Sequence, residues 1–566
     1  MTNFAEETRI GYVTDVQAGT VSVTLSDIEQ DGPLIVTIGD EDVLVGRVGS
    51  YVAIVQRNLA TLAMVTRMSE TEKLVPLEPG QAGQDAIRVA KVSRELSITP
   101  LGVLDDTGEF QRGVSTFPTT GAEVHALGAE AIGKMFNRFQ SKGYDVGYLP
   151  SAPSQGVYFD PSGLFGRHFA ILGQTGAGKS HTVANLLQRA VKVMPKAHII
   201  LLDLHGEYSW KDEQGVRQHA FDDGIARYVD ARELEVPYWL MTFAELCDLL
   251  VDHSEREAAN QIAFFRDTLF QLKEKEKAGV KLDRISVDTP IFFSLDNLLE
   301  AIGGKNSERV DGEKGKKNGP LFGTFDRFLI RLNSKLNDVR YDFLLKPKQR
   351  TASNTLAGLL RDFVGLGEPK RQITIIDLSS VPFDVRPTVA AQIGRLAFEF
   401  NYWNPQYKEF PLLLVCEEAH AYIPRADAGQ YAGARKSMER IAKEGRKYGV
   451  GLGVVSQRPH ELSETVLAQC GSFICLRITN PTDQAYVKNL VPEAERDLVD
   501  VLAGLGRGEA MALGEAVPLP SRVQFHRANP EPNSNDIDFY SRWIDGPDDI
   551  DVNQIVDRWR RQERSE

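Results

Sequence analysis

Residues 168–191 read HFAILGQTGAGKSHTVANLLQRAV, and within them Gly173 to Ser180 form G-x-x-x-x-G-K-S. A short apolar run precedes this motif and a segment of helical periodicity follows it, the strand–loop–helix context that a phosphate-binding loop requires. Glycine lets successive backbone N–H groups turn inward around phosphate oxygens. Lys179 then reaches the β/γ oxygens, and the Ser180 hydroxyl can ligate Mg²⁺. The expected nucleotide-binding residues are Gly173, Gln174, Thr175, Gly176, Ala177, Gly178, Lys179, Ser180 and His181. ATP with Mg²⁺ is the expected cofactor.

Hydrolysis needs an acid to hold the metal and a base to orient water, placed at the end of a strand neighbouring the loop. The stretch PLLLVCEEAHAYIP, from Pro411 to Pro424, supplies both. The run Leu412 to Val415 reads as a buried strand, which carries Glu417, the expected metal-side acid, and Glu418, the expected general base, to the carboxyl edge of the sheet. A second strand, GVGLGVVS, leads to Gln457, placed where a γ-phosphate sensor would sit. Gly449, Gly451 and Gly453 in that strand do not open a helix and so form no dinucleotide fingerprint. Between the two strands, Ala434, Met438, Ile441 and Ala442 share an apolar helix face, leaving Arg440, Arg446 and Lys447 toward solvent or a partner.

Outward from these motifs, HIILLDL, ITIIDLS and FICLRI continue the pattern of short buried strands separated by helical segments. The fold class expected is therefore α/β, a mostly parallel sheet with helices on its faces. Five segments follow from the changes in pattern. Residues 1–105 alternate apolar and polar through TVSVTL, LIVTI and VLVGRV, which reads as a small antiparallel barrel or sandwich. Residues 106–166 connect it to the core, which spans 167–239 and 361–526. The core is interrupted at 240–360, where the strand signal gives way to helical periodicity, as in Phe243, Leu246, Leu249 and Leu250. Residues 527–566 form a C-terminal arm. Within the insertion, 305–350 holds 12 Lys/Arg against 6 Asp/Glu, which reads first as a solvated loop.

The 566 residues carry 42% hydrophobic and 25% charged side chains, which exclude a single small module and wholesale disorder. No apolar run approaches the ~20 residues of a membrane span. The first residues lack a basic and an apolar region of a secretory signal, and four cysteines cannot build a disulfide framework. A soluble, cytoplasmic protein without membrane partners is expected. Cys416 with His420 and Cys470 with Cys475 lack the tight spacing of a structural zinc site. The net charge of −13 excludes a basic coat, but an enclosed channel can be positive inside a negative molecule.

The order of these motifs, small barrel, GQTGAGKS, DLHGEY at Asp203 to Tyr208, helical insertion, VCEEAH, RIAKEGRKYGVGLGVVSQRP and a short arm, resembles the HerA family in its bacterial form, within the HerA/FtsK group of RecA-like P-loop ATPases. The resemblance implies a RecA-like core with a HAS-barrel-like N-terminal domain, a homo-hexameric ring with ATP between subunits, and double-stranded DNA through the pore. By position, Lys179 and Ser180 match the Walker A pair, Glu417 and Glu418 the Walker B pair, Gln457 the sensor, and Arg446 the trans-acting finger, with Arg440 and Arg458 as rivals. It also implies a separately encoded partner, a nuclease or a sirtuin-like NADase effector, in DNA processing or anti-phage defence. No nuclease constellation is present in this chain. The expectation is an ATP-dependent DNA translocase or helicase; the alternative is an ATPase ring that acts as scaffold or regulator of an effector. Arg425, Arg435 and Lys436, on the basic loop after the Walker B strand, are the expected DNA contacts.

Overall fold

The computed structural model describes residues 6–561 apart from 18, 27–34, 39–40, 58, 77–87, 106–109, 115, 213, 313–314, 384, 426–431, 535–536 and 548. The chain divides into two compact units. One comprises 1–194, 455–460 and 467–529, the other 195–454, 461–466 and 530–566.

In the first unit, alternation at period two folds the N-terminal residues into a closed six-stranded barrel. Its order is Val21–Leu25, Arg9–Val16, Glu123–Ala126, Tyr51–Gln56, Leu59–Pro76 and Arg88–Leu104, and the last strand pairs back to the first. The inward set, including Ile10, Val13, Val21, Val23, Ile54, Val65, Leu96, Ile98 and Val124, is buried as one core. Two sequence expectations change here. The closing strand Glu123–Ala126 lies beyond the boundary at 105 and sits between Arg9–Val16 and Tyr51–Gln56. Four residues are too few to show a period, so only the pairing reveals it. The run LIVTI supplies Ile35–Ile38, which pairs with Glu41–Leu44 as a separate two-stranded hairpin outside the barrel.

The same unit carries a sheet in the order Ala152–Tyr158, Asp145–Leu149, Ser521–Phe525, Glu509–Gly514, Ser472–Leu476, Phe169–Leu172. Only the last pair is parallel; the preceding pairs are antiparallel. Two of these strands come from the stretch read as a connector, 106–166, whose Pro and Gly content hides them. The helix Lys179–Val193 packs here: Tyr144 donates to the Leu186 carbonyl at 2.8 Å, and Asn185 to the Val146 carbonyl at 3.0 Å.

In the second unit, Val450–Ser456, Leu412–Cys416, Ile199–Asp203, Ile373–Asp377 and Ala226–Asp230 lie side by side, each parallel to the next. Four of the five are buried throughout. That is why their sequences run apolar without alternation. The 240–360 stretch is mostly helical: Phe243–Leu250, opened by a Thr242/Glu245 capping box, is followed by Ala258–Glu276, Leu295–Asn306, Asp326–Leu336 and Leu356–Phe363. Phe243, Phe265, Phe325 and Phe328 pack edge-on or tilted at its centre. It also contains a hairpin, Arg309–Gly312 with Gly315–Asn318, in the basic stretch whose sequence reads as a solvated loop. Glu235 joins the two ends of the insertion. Its buried carboxylate accepts the backbone N–H groups of Lys348, Gln349 and Arg350 at 2.9, 2.7 and 3.1 Å.

Candidate functional site

The first unit builds the phosphate loop from a buried strand. Phe169–Leu172 runs parallel to Ser472–Leu476 and hands the chain to Gly173. A side chain at Gly173 would place its Cβ 2.8 Å from the Leu476 Cβ, so glycine lets the loop turn against that strand. Gly178 caps the following helix at φ 103°, a left-handed conformation that disfavours any side chain. Its backbone also lies against the Gly506–Gly508 turn, whose Gly508 N–H donates to the Ala177 carbonyl at 3.0 Å. Lys179, the first helical residue, is buried, and its Nζ lies 3.5 Å from the Gln174 carbonyl. The cation thus folds back over the loop, at the N-terminal end of the helix where an anion is favoured. Ser180 and His181 follow, both half-buried.

Gln457 belongs to this cluster. Its Oε1 accepts the Thr175 hydroxyl at 2.5 Å, and the Ser456 carbonyl accepts the Gly173 N–H at 3.2 Å. On the other side, Gln174 Oε1 accepts from the Thr479 N–H and hydroxyl at 3.1 and 2.7 Å. Residues from two further strand ends therefore hold the loop's side chains. Beside it opens a cavity of about 230 Å³, lined by Gly178, His181, Thr182, Arg507, Gln524 and Arg527 among others. The last three were missed in the sequence because they belong to no spaced motif. The antiparallel strands 509–514 and 521–525 bring them beside the helix start.

The second unit brings its acids to the carboxyl ends of adjacent parallel strands. In register, Asp203 lies opposite Asp377, and Leu202 opposite Cys416, so Glu417 emerges next to Asp203. Asp203 is consumed by its own loop. Its Oδ1 accepts from the backbone N–H groups of His205, Gly206 and Glu207 at 3.3, 2.8 and 3.1 Å, and its Oδ2 from that of Tyr208 at 2.9 Å. This curl explains DLHGEY, a motif whose residues had been given no role. It carries the buried Tyr208 ring inward, where the hydroxyl donates to Glu417 Oε1 at 2.9 Å. Glu417 Oε2 is buried without a hydrogen-bond partner among the described residues. Burial, with Asp203 and Glu207 nearby, pushes the Glu417 carboxyl well above the usual range. Burial likewise pushes Asp203 up to about 7, against the pull of its backbone donors.

Glu418 sits at φ 45° and ψ 45°, left-handed for a residue with a side chain, and is buried. Such strain persists only where the surroundings fix it. Here the Tyr422 hydroxyl donates to the Glu417 carbonyl at 2.8 Å, and His420 Nδ1 lies 3.2 Å from Glu418 Oε2. Among the described residues no group of three or more His, Cys, Asp or Glu could hold a metal unaided. A lone buried carboxylate oxygen fits Mg²⁺, which keeps waters and phosphate oxygens and needs only one or two protein ligands.

The basic residues are placed less uniformly. Arg446 is exposed on the short turn Gly445–Tyr448 that ends the helix Ala432–Glu444. Its rival Arg440 is engaged, with Nη1 3.1 Å from Glu399 Oε1 and its guanidinium over the Phe398 ring at 4.3 Å. Arg435 pairs with Glu439 at 2.8 Å, Arg425 lies 3.8 Å from Glu464, and Lys436 is exposed. The middle of the loop carrying them, 426–431, lies outside the described residues. All four cysteines are buried. No helix among the described residues is long and apolar enough to cross a membrane.

Comparison with known proteins places the chain in a family. The family described as "Helicase HerA, central domain" matches residues 144–397, and "Helicase HerA-like C-terminal" matches 409–535. The "DNA double-strand break repair helicase HerA" of Sulfolobus acidocaldarius is 30% identical over 401 residues, covering 69% of this chain and 71% of that protein. Its namesake from Pyrococcus furiosus is 29% identical over 451 residues, covering 75% and 76%. Among solved structures the chain is similar to VirB4 of Thermoanaerobacter pseudethanolicus, at 18% identity and a TM-score of 0.45 over 68% of this chain and 97% of that one. With a phosphate loop in one unit, paired acids at a strand end in the other, and these relatives along most of its length, the chain belongs to the HerA helicase family and is an ATP-hydrolysing enzyme.

Proposed function

We propose that the protein is a subunit of a homo-hexameric, ATP-driven double-stranded DNA translocase. The phosphate loop is the observation that carries this reading, because its strand, glycine turns and folded-back lysine form an anion cradle ready for a nucleoside triphosphate. The relatives, named as DNA repair helicases, supply the DNA. Gly173 to His181 hold the phosphates of ATP, and Lys179 supplies the cation to the β/γ oxygens. Mg²⁺, held through the Ser180 hydroxyl and Glu417, contributes charge stabilisation when bound. Glu418 takes the proton of the attacking water, and Gln457 senses the γ-phosphate through the Thr175 side of the loop. The cavity beside Gly178 takes the nucleotide base, with Arg507, Gln524 and Arg527 as its polar contacts. Arg446 reaches the γ-phosphate of the neighbouring subunit. Arg425, Arg435 and Lys436 face the DNA backbone, with the basic 305–350 stretch as the next place to look. The partner is separately encoded, a nuclease that does the cutting or a sirtuin-like NADase effector, in DNA processing or anti-phage defence.

The test is ATP hydrolysis by the purified protein with and without linear duplex DNA. Stimulation by duplex, independent of its sequence, is expected. Turnover indifferent to DNA would favour the alternative, a ring that positions and regulates an effector.

A further inference from the structure

Glu417 is held by a residue that the motif reading left without a role. Asp203 has both oxygens committed to four backbone N–H groups, so its carboxylate is closed to a metal. The turn those bonds make fixes the Tyr208 backbone, and the ring it carries is fully buried. Its hydroxyl, donating to Glu417 Oε1 at 2.9 Å, satisfies one carboxylate oxygen and leaves Oε2 as the buried oxygen without a partner among the described residues. A glutamate on its own has three side-chain torsions to fix before it can present an oxygen. Outer-shell donors of this kind orient a ligating carboxylate and tune its affinity.

We propose that Tyr208 is a positioning residue that presents Glu417 Oε2 to the divalent cation and so sets the metal affinity of the nucleotide-bound protein. This rests on the reading of Glu417 as the metal-side acid. The backbone turn at Asp203, the tyrosine ring and the Glu417 carboxylate then act as one relay. It gives DLHGEY a task in the reaction.

The experiment measures affinity of the full-length protein for a fluorescent, non-hydrolysable ATP analogue, once in EDTA and once in Mg²⁺. The ratio of the two is the gain linked to the metal. Tyr208→Phe should leave the EDTA affinity unchanged and cut the gain about tenfold, the size expected for one hydrogen bond to a charged group. Glu417→Gln should abolish the gain, and adding Tyr208→Phe to it should cause no further loss. A merely structural role for Tyr208 would lower the melting temperature and spare the gain. If Glu417→Gln loses the gain while a folded Tyr208→Phe keeps it, the Tyr208 proposal is overturned and the Glu417 reading stands. If Glu417→Gln keeps the gain, both fall. Should Tyr208→Phe fail to fold, 3-fluorotyrosine at 208 preserves ring and hydroxyl while altering donor strength. A shifted gain then supports the proposal, and an unshifted one overturns it.

Discussion

In the reaction proposed above Lys179 and Glu418 serve successive stages, and their substitutions should separate those stages. Lys179→Ala removes the cation that folds over the phosphate loop, so ATP hydrolysis should fall by about two orders of magnitude or more, with weakened nucleotide binding. Glu418→Gln keeps size and shape but cannot accept a proton. Binding of ATP should persist while turnover stops. Filter binding and phosphate release distinguish the two, and parental turnover in Glu418→Gln would pass the base role to Glu417. A second residue-scale prediction concerns Lys273, buried in the insertion, whose Nζ donates to the Val287 and Thr289 carbonyls at 2.8 and 2.9 Å. Burial lowers its pKa from 10.5 to about 8. Between those values the unfolded chain holds a proton that the folded one lacks, so this group's contribution to stability rises with pH across roughly 8 to 10.5. Relative to Lys273→Met, the parent should gain on the order of 2–3 kcal/mol over that window. Urea midpoints of both proteins at pH 8 and 10.5 check this, and an unchanged difference would mean the burial is not felt.

At the scale of elements, Glu235 is the clearest test of what holds the insertion to the core. Replacing it with alanine leaves the amides of Lys348, Gln349 and Arg350 without their acceptor, a loss of about 2–4 kcal/mol for bonds to a charged group. Hydrogen exchange at those three amides should accelerate and trypsin should cut earlier within 240–360. Unaltered exchange would show that the carboxylate is replaceable by water. The same elements show how far the sequence could be read. The phosphate loop was legible because its chemistry demands glycine and lysine at fixed spacing. The buried strands were legible because a strand covered on both faces must be apolar throughout. Glu123–Ala126 was not, since four residues carry no period and its place is decided by two distant strands. The Arg309–Asn318 hairpin has an exposed, polar second strand, so nothing apolar marks it. Tyr208 entered only as the last residue of DLHGEY. Only the parallel register of Leu202 with Cys416 puts its hydroxyl beside Glu417.

For the whole molecule, the predictions concern assembly and charge. Arg446→Ala should leave nucleotide binding intact and cut turnover steeply, because a finger in trans stabilises charge that develops only in the transition state. Mixtures of Arg446→Ala and Lys179→Ala subunits should regain partial activity, since some interfaces then pair an intact loop with an intact finger. No recovery at any ratio, with subunit exchange verified, would argue against a trans role. The DNA path must be reconciled with a net charge of −13, which repels a polyanion at long range. Only a local concentration of cations can overcome this. Lys436 and Arg425 are exposed, with Arg425 3.8 Å from the exposed Glu464, whereas the half-buried Arg435 must first leave Glu439. Each phosphate contact releases condensed counterions, which steepens the dependence of affinity on salt by roughly 0.9 per contact on duplex DNA. Arg425→Ala/Lys436→Ala should therefore weaken binding equally on unrelated duplexes and flatten the log–log salt slope by about 2 per subunit engaged. A salt slope equal to the parent's, in a variant whose assembly is unchanged, would place the DNA elsewhere, and Lys316 and Lys317 on the exposed hairpin strand would be the next pair to neutralise.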